Sequence, residues 1–227
     1  MAEPRKGLRL ETKLLKRNSS KGVEIAMVDT KNEWLNEPVG LGILPGKRTS
    51  DIGDIAYWQN IYELRKAPHV CLQNEYLLSA VKLIYSGIDN LAWLARDHDR
   101  PKVQRKDFID FVNKYLLPDS GLTCTSEELY SARCGLLHCN TAQSDISRSG
   151  KARCLSYATG LSPEEGGYEH IRPESRDRHV MVHISKLYKA YNKSIDRLNQ
   201  RIGQEADFAD FIYRRSVTLY GLPIEEQ

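Results

Sequence analysis

A fixed cation and a titratable imidazole lie five residues apart in the middle of the chain, at Arg133 and His138. An arginine carries a planar fork of hydrogen-bond donors that matches phosphate oxygens, and it keeps its charge at physiological pH. A histidine titrates near neutrality, so it can accept or release a proton during a reaction. Together the two side chains suit phosphodiester chemistry without a metal ion. RNA is the natural substrate for such a pair, because its own 2′-hydroxyl supplies the nucleophile.

Both residues fall in a segment that the sequence predicts to be a helix over residues 126–139. Thr125 and Glu128 have the spacing of a capping box at the helix start. An apolar stripe with spacings of three and four then follows, at Leu129, Ala132 and Leu136. On an ideal α-helix, however, residues five apart point about 140° away from each other. A straight helix therefore presents Arg133 and His138 poorly as a pair.

Two arrangements would bring Arg133 and His138 together. Either the helix loosens in its last turn, or a second subunit packs along the helix and completes the site. The plainer alternative is a structural histidine beside an arginine that pairs with a nearby acid, such as Glu127 or Glu128. Spacing alone does not separate these readings, and they stay open at this point.

Two further groups of residues suggest binding functions. Arg148, Lys151 and Arg153 form a basic cluster just after the central segment, and we expect them either to contact an RNA backbone or to lie in a solvated loop. His179 and His183 are four residues apart on a predicted helix, a spacing that suits two ligands of one metal ion. Because the sequence offers no third ligand, we interpret them as core or surface histidines and expect no metal site.

Hydrophobic periodicity predicts a mostly α protein. Helices are predicted over residues 54–66, 74–97, 104–116, 126–139, 177–202 and 205–215. The first of them is expected to stop before Pro68, because proline disfavours a helical residue before it. Two short strands are predicted at residues 153–158 and 168–171, as a small β-hairpin within an insertion at about 144–175. We divide the chain into a basic N-terminal arm and loop region, residues 1–50, and a helical domain, residues 51–227.

Composition places the chain among ordinary globular proteins. Its 227 residues carry a formal net charge of +3, and a net charge this small does not by itself indicate nucleic-acid binding. No apolar run approaches the roughly 18 to 20 residues that a membrane span needs, and the first residues lack the apolar core of a signal peptide. The five cysteines are odd in number and form no CxxC pair. These features predict a cytoplasmic protein with reduced thiols and no membrane association.

The segment Arg133-Cys-Gly-Leu-Leu-His138 resembles the R-x4-6-H motif of the HEPN superfamily, and the helical layout over residues 74–202 is similar to that fold. The resemblance implies a HEPN-like helical bundle and a homodimer with a composite site at the two-fold axis. It also implies metal-independent endoribonuclease activity that leaves a 2′,3′-cyclic phosphate and needs no cofactor. Arg133 would orient the phosphate, and His138 would transfer the proton.

Many relatives in this superfamily act in toxin–antitoxin or other defence systems, so the resemblance adds an antitoxin or regulatory protein to the expected partners. The chain departs from the family at Cys134, where a polar residue usually follows the motif arginine. A thiol is a weaker hydrogen-bonding group than the asparagine or aspartate found there. A non-catalytic helical binding or dimerisation module of the same superfamily is therefore the alternative function.

Overall fold

The computed structural model describes residues 52–97, 102–159 and 173–219. The predicted basic arm, residues 1–50, and the predicted strand at 168–171 lie outside these residues. The α-helices are α1 Ile52–Gln73, α2 Leu77–Ala95, α3 Arg105–Phe111, α4 Ser126–Cys134, α5 Asp145–Arg148, α6 Ile184–Gln204 and α7 Ala206–Leu219. Two strands, β1 Cys154–Ala158 and β2 His179–His183, form the small sheet. The prediction of a mostly α fold is confirmed.

Helix α2 is the centre of the hydrophobic core. Its residues Ile84, Ile88 and Leu91 are fully buried, as their spacing of four and three predicts. Helices α1, α6 and α7 pack against α2 and against one another, and α3 packs on another side of it. Helix α4 packs on α3 and on β1. None of the helices in the described residues combines the length and the apolar character needed to cross a membrane.

Helix α1 continues through Pro68 to Gln73, so the prediction that it stops before the proline is wrong. A proline inside a helix has no N–H to donate to the carbonyl four residues earlier, which here belongs to Leu64. The buried Tyr191 hydroxyl on α6 donates a hydrogen bond to that Leu64 carbonyl at 3.1 Å. Because a tertiary contact satisfies the carbonyl that Pro68 leaves open, the helix does not need to end there.

Gly87 on α2 makes room for the same tyrosine. A Cβ atom at this position would lie 2.1 Å from the Tyr191 hydroxyl oxygen and 2.8 Å from the ring carbon that carries it. We expect Gly87→Ala to lower the free energy of unfolding by about 1–3 kcal/mol through overpacking, measured by urea denaturation. The Gly87→Ala/Tyr191→Phe double variant lacks the hydroxyl, which removes part of the clash. Its loss in the free energy of unfolding should therefore be smaller than the sum of the losses in the two single variants. Additive effects would contradict this packing.

The small sheet pairs β1 with a strand that the sequence did not predict; the hairpin partner predicted at residues 168–171 lies outside the described residues. Strand β1 lies where a strand was predicted, but its partner in the described residues is β2, and the pairing is parallel, with Leu155 opposite Val180. The pair is therefore not a hairpin. The segment His179–His183 was predicted as the start of a long helix, but that helix, α6, begins at Ile184. Alternating buried valines, Val180 and Val182, match the two-residue period of a strand instead.

Candidate active site

Helix α4 positions the candidate site, and its start follows the prediction. The Glu128 backbone N–H donates to the Thr125 side-chain oxygen at 3.2 Å, and the Thr125 N–H donates to the Glu128 carboxylate at 2.8 Å. Leu129, Ala132 and Leu136 are buried in the core. This reciprocal cap fixes where the helix begins, and so it fixes the rotational position of every residue that follows.

Arg133 and His138 meet because the helix changes its period between them. Helix α4 passes at Gly135 into a π-helical segment, Gly135–Cys139, in which backbone hydrogen bonds run from each residue to the one five positions earlier. Because the turn is wider there, residues five apart point in more similar directions than they do on an ideal α-helix. The Arg133 Nη1 atom lies 2.6 Å from the His138 Nε2 atom. The loosened helix end, one of the two arrangements predicted to unite the pair, is present within the single chain.

Gly135 permits this π segment by letting the following loop approach closely. A Cβ atom on Gly135 would lie 2.7 Å from the Thr141 carbonyl oxygen, too close for any real side chain. Asn140 ends the segment with a left-handed backbone, at φ 52°, a conformation that asparagine tolerates better than most residues. Its side-chain oxygen accepts a hydrogen bond from Lys82 Nζ at 2.8 Å. The end of the π segment is thus tied to α2.

Asp89 on α2 holds the guanidinium from the other side. The Arg133 Nε atom donates to Asp89 Oδ2 at 2.7 Å, and both side chains are mostly buried. The sequence suggested Glu127 or Glu128 as the partner, but Glu128 pairs with Arg153 instead. No local pattern identifies Asp89, because it lies 44 residues before the arginine. Its only signal in the sequence is a carboxylate within a strongly apolar helix.

Burial and charge act in opposite directions on this ion pair. Burial raises the pKa of Asp89, and the neighbouring Arg133 guanidinium offsets only part of that effect. For Arg133, burial acts to lower the pKa, but the charge and hydrogen bond of Asp89 together with the contact to Cys134 outweigh burial, and the pKa is raised. The arginine therefore stays charged in its partly buried position.

The raised pKa of Asp89 predicts a pH-dependent stability. A carboxyl whose pKa is higher in the folded than in the unfolded state contributes stability below its ordinary pKa of 3.8 and loses that contribution as pH rises through the folded value. In urea denaturation, wild-type protein should lose stability relative to Asp89→Asn as pH is raised from about 3.8 through this window. Asp145→Asn, which removes an exposed carboxylate, is the matched control. A wild-type to Asp89→Asn difference that stays constant with pH would contradict the assignment.

The three basic residues predicted to contact RNA differ in their surroundings. Arg153 forms a bidentate salt bridge with the buried carboxylate of Glu128. The Nε–Oε1 distance is 2.5 Å and the Nη2–Oε2 distance is 3.3 Å. Arg148 is exposed and lies 3.3 Å from Asp145 on the short helix α5. Lys151 is exposed in the turn that follows. Arg153 thus anchors β1 to the start of α4, and Arg148 and Lys151 are the more accessible members of the cluster.

The two histidines considered as metal ligands lie at opposite ends of β2. Residues four apart on a strand are about 13 Å apart, too far to bind one ion. His179 Nδ1 lies 3.0 Å from the Ser156 hydroxyl, and His183 caps α6 by accepting a hydrogen bond from the Ser185 N–H. Within the described ranges no group of three or more histidine, cysteine or acidic residues is placed to hold a metal ion.

Comparison of the whole chain with protein-family models, with curated proteins and with solved structures finds no match.

Proposed function

We propose that the protein is a metal-independent endoribonuclease of HEPN type, which cleaves single-stranded RNA by attack of the 2′-hydroxyl and leaves a 2′,3′-cyclic phosphate. The observation that carries the proposal is the 2.6 Å contact between Arg133 Nη1 and His138 Nε2 at a π-helical segment. Such segments occur frequently at functional sites, and this one, unlike the second π-helical segment of the described residues, Val112–Leu116, brings an arginine and a histidine into contact. Here the segment joins a charged phosphate ligand to an exposed imidazole, which is the pair this reaction requires.

The contact favours one arrangement of the ring nitrogens of the histidine. A guanidinium can only donate hydrogen bonds, so Arg133 forms a hydrogen bond here when the Nε2 atom of His138 accepts and the ring proton is on Nδ1. Nε2 is therefore the atom with a free electron pair for a proton. When a substrate phosphate takes over the Arg133 Nη1–H, the Nε2 electron pair becomes available to the 2′-hydroxyl.

The chemical step then follows from the two groups. His138 Nε2 takes the proton from the 2′-hydroxyl, whose oxygen forms a bond to the adjacent phosphorus. The bond from phosphorus to the 5′-oxygen breaks, and that oxygen takes a proton from water. The Arg133 guanidinium stabilises the negative charge that builds on the non-bridging oxygens. Asp89 acts as a positioning residue, because it binds Nε while the Nη1 atom of Arg133 contacts His138.

The resemblance also motivates the wider biological proposal. We place the protein in the cytoplasm as a homodimer that acts on RNA, with an antitoxin or regulatory protein as partner and a role in defence. The Arg133–His138 pair forms within one chain, so a second copy is not needed to bring these two residues together. In the dimer, the second copy would bring its own Arg133–His138 pair to the same cleft.

The activity is tested with purified protein, a 5′-labelled single-stranded RNA and excess EDTA. We expect cleavage at the same rate with and without the chelator. Loss of cleavage in EDTA that is restored by Mg²⁺ would indicate a metal-dependent phosphohydrolase. Binding of the RNA without any cleavage, by a folded protein, would favour the non-catalytic binding module.

A further inference from the structure

Beside the Arg133–His138 pair lies a tyrosine that neither the motif nor the proposed chemistry uses. Tyr130 is one turn before Arg133 on α4, and its ring is partly exposed. The guanidinium carbon of Arg133 lies 6.0 Å from the ring centroid, and that of Arg105 on α3 lies 5.4 Å from it. Two cations from different helices therefore converge on one aromatic ring at the edge of the candidate site.

The ring is held in place by the core beneath it. Phe108, which is almost fully buried, makes an edge contact with Tyr130 at 5.5 Å between centroids and 65° between ring planes. Arg105 is exposed, so its side chain is less constrained by packing than the ring. The tyrosine is thus a fixed aromatic surface, and Arg105 is a cation that can move off the ring while it stays near.

We propose that Tyr130 and Arg105 form the nucleotide-binding subsite of this enzyme, in which the Tyr130 ring stacks on a base beside the cleaved phosphodiester and Arg105 binds a neighbouring phosphate. The subsite depends on the proposed ribonuclease function, and it identifies unpaired RNA as the class of substrate. An aromatic ring can stack on a base only when that base is unpaired, so the subsite selects single-stranded RNA over duplex. Because every base has a π-face, the subsite should discriminate little among RNA sequences.

Binding is measured separately from cleavage with a fluorescent 2′-O-methyl single-stranded oligonucleotide, which lacks the nucleophilic hydroxyl. We expect Tyr130→Phe to bind like wild type and Tyr130→Leu to bind about tenfold more weakly, because stacking needs the ring and not the hydroxyl. Arg105→Ala should weaken binding and reduce the slope of log affinity against log salt concentration by about 1. Arg214→Ala, an equal charge change at an exposed position on α7, should leave binding unchanged.

Two outcomes separate this inference from the proposed function. Wild-type binding by both Tyr130→Leu and Arg105→Ala, or equal affinity for duplex and single strand, would overturn the subsite even if the enzyme cleaves RNA. Ring-dependent binding without cleavage of ordinary RNA would overturn the nuclease and leave the subsite standing. Circular dichroism shows whether Tyr130→Leu folds. If it does not fold, Arg105→Ala still tests the subsite, because Arg105 is exposed.

Discussion

His138→Ala is expected to lower the rate of RNA cleavage by about 10²–10⁴-fold while the protein stays folded. This range is the usual contribution of a positioned general base, and in the proposed mechanism His138 Nε2 supplies the electron pair that removes the 2′-hydroxyl proton. The side chain is exposed, so its loss should change the free energy of unfolding little. Cleavage is measured under single-turnover conditions with the 5′-labelled RNA, and folding by urea denaturation.

His179→Ala provides the matched control for this experiment, because it removes an imidazole from β2 and leaves the π segment unchanged. It should cleave at the wild-type rate. Arg133→Lys keeps the charge but loses the fork that bridges Asp89 and His138, so it should also be strongly impaired. Cleavage at wild-type rate by His138→Ala would remove the histidine from the mechanism.

Gly135→Ala should lower cleavage by about 10²-fold, although it changes neither of the two proposed catalytic residues. The added Cβ would meet the Thr141 carbonyl oxygen at 2.7 Å, so the loop and the π segment cannot both keep their positions. A displacement of about 1 Å between reacting groups is enough for a loss of this size. The same overpacking should cost about 1–3 kcal/mol in the free energy of unfolding. Rates are compared at a temperature where all variants are fully folded.

The Gly53→Ala variant separates the loss of stability from the loss of cleavage. At this position on α1 a Cβ would meet the Tyr213 carbonyl oxygen at 2.6 Å, nearly the same crowding against a backbone atom, but on a different helix. It should therefore lose stability like Gly135→Ala and retain cleavage. If both variants lose activity in proportion to stability, the π segment has no special role in positioning Arg133 and His138.

Local patterns were enough to predict most of the fold. The Thr125–Glu128 capping box acts within one turn, and the stripe of α2 is set by its own sequence, so both appear as predicted. The end of α1 was predicted wrongly because the carbonyl that Pro68 leaves open is satisfied by Tyr191, far along the chain. The start of α6 was predicted too early, since a helical period was read into the alternating valines of β2.

The candidate site was only partly predictable for the same physical reason. The residue types of Arg133 and His138 indicated phosphodiester chemistry, but the ideal α-helix placed them on different faces. Their contact depends on a π segment, and that segment depends on how closely the loop at Thr141 packs on Gly135. Asp89 reaches Arg133 only through the packing of α2. The spacing of residues reveals neither the Asp89 contact, which is 44 residues away in sequence, nor the close approach of the Thr141 carbonyl to Gly135.

The central claim, that Arg133 and His138 direct 2′-hydroxyl attack, is tested most directly by the ends of the cleavage products. Mass spectrometry of a single-stranded RNA digested in EDTA should show 2′,3′-cyclic phosphate and 5′-hydroxyl ends. A single 2′-deoxy substitution at a cleaved position should abolish cleavage there and nowhere else. Products with 5′-phosphate and 3′-hydroxyl ends, or cleavage that continues at the deoxy position, would contradict the mechanism.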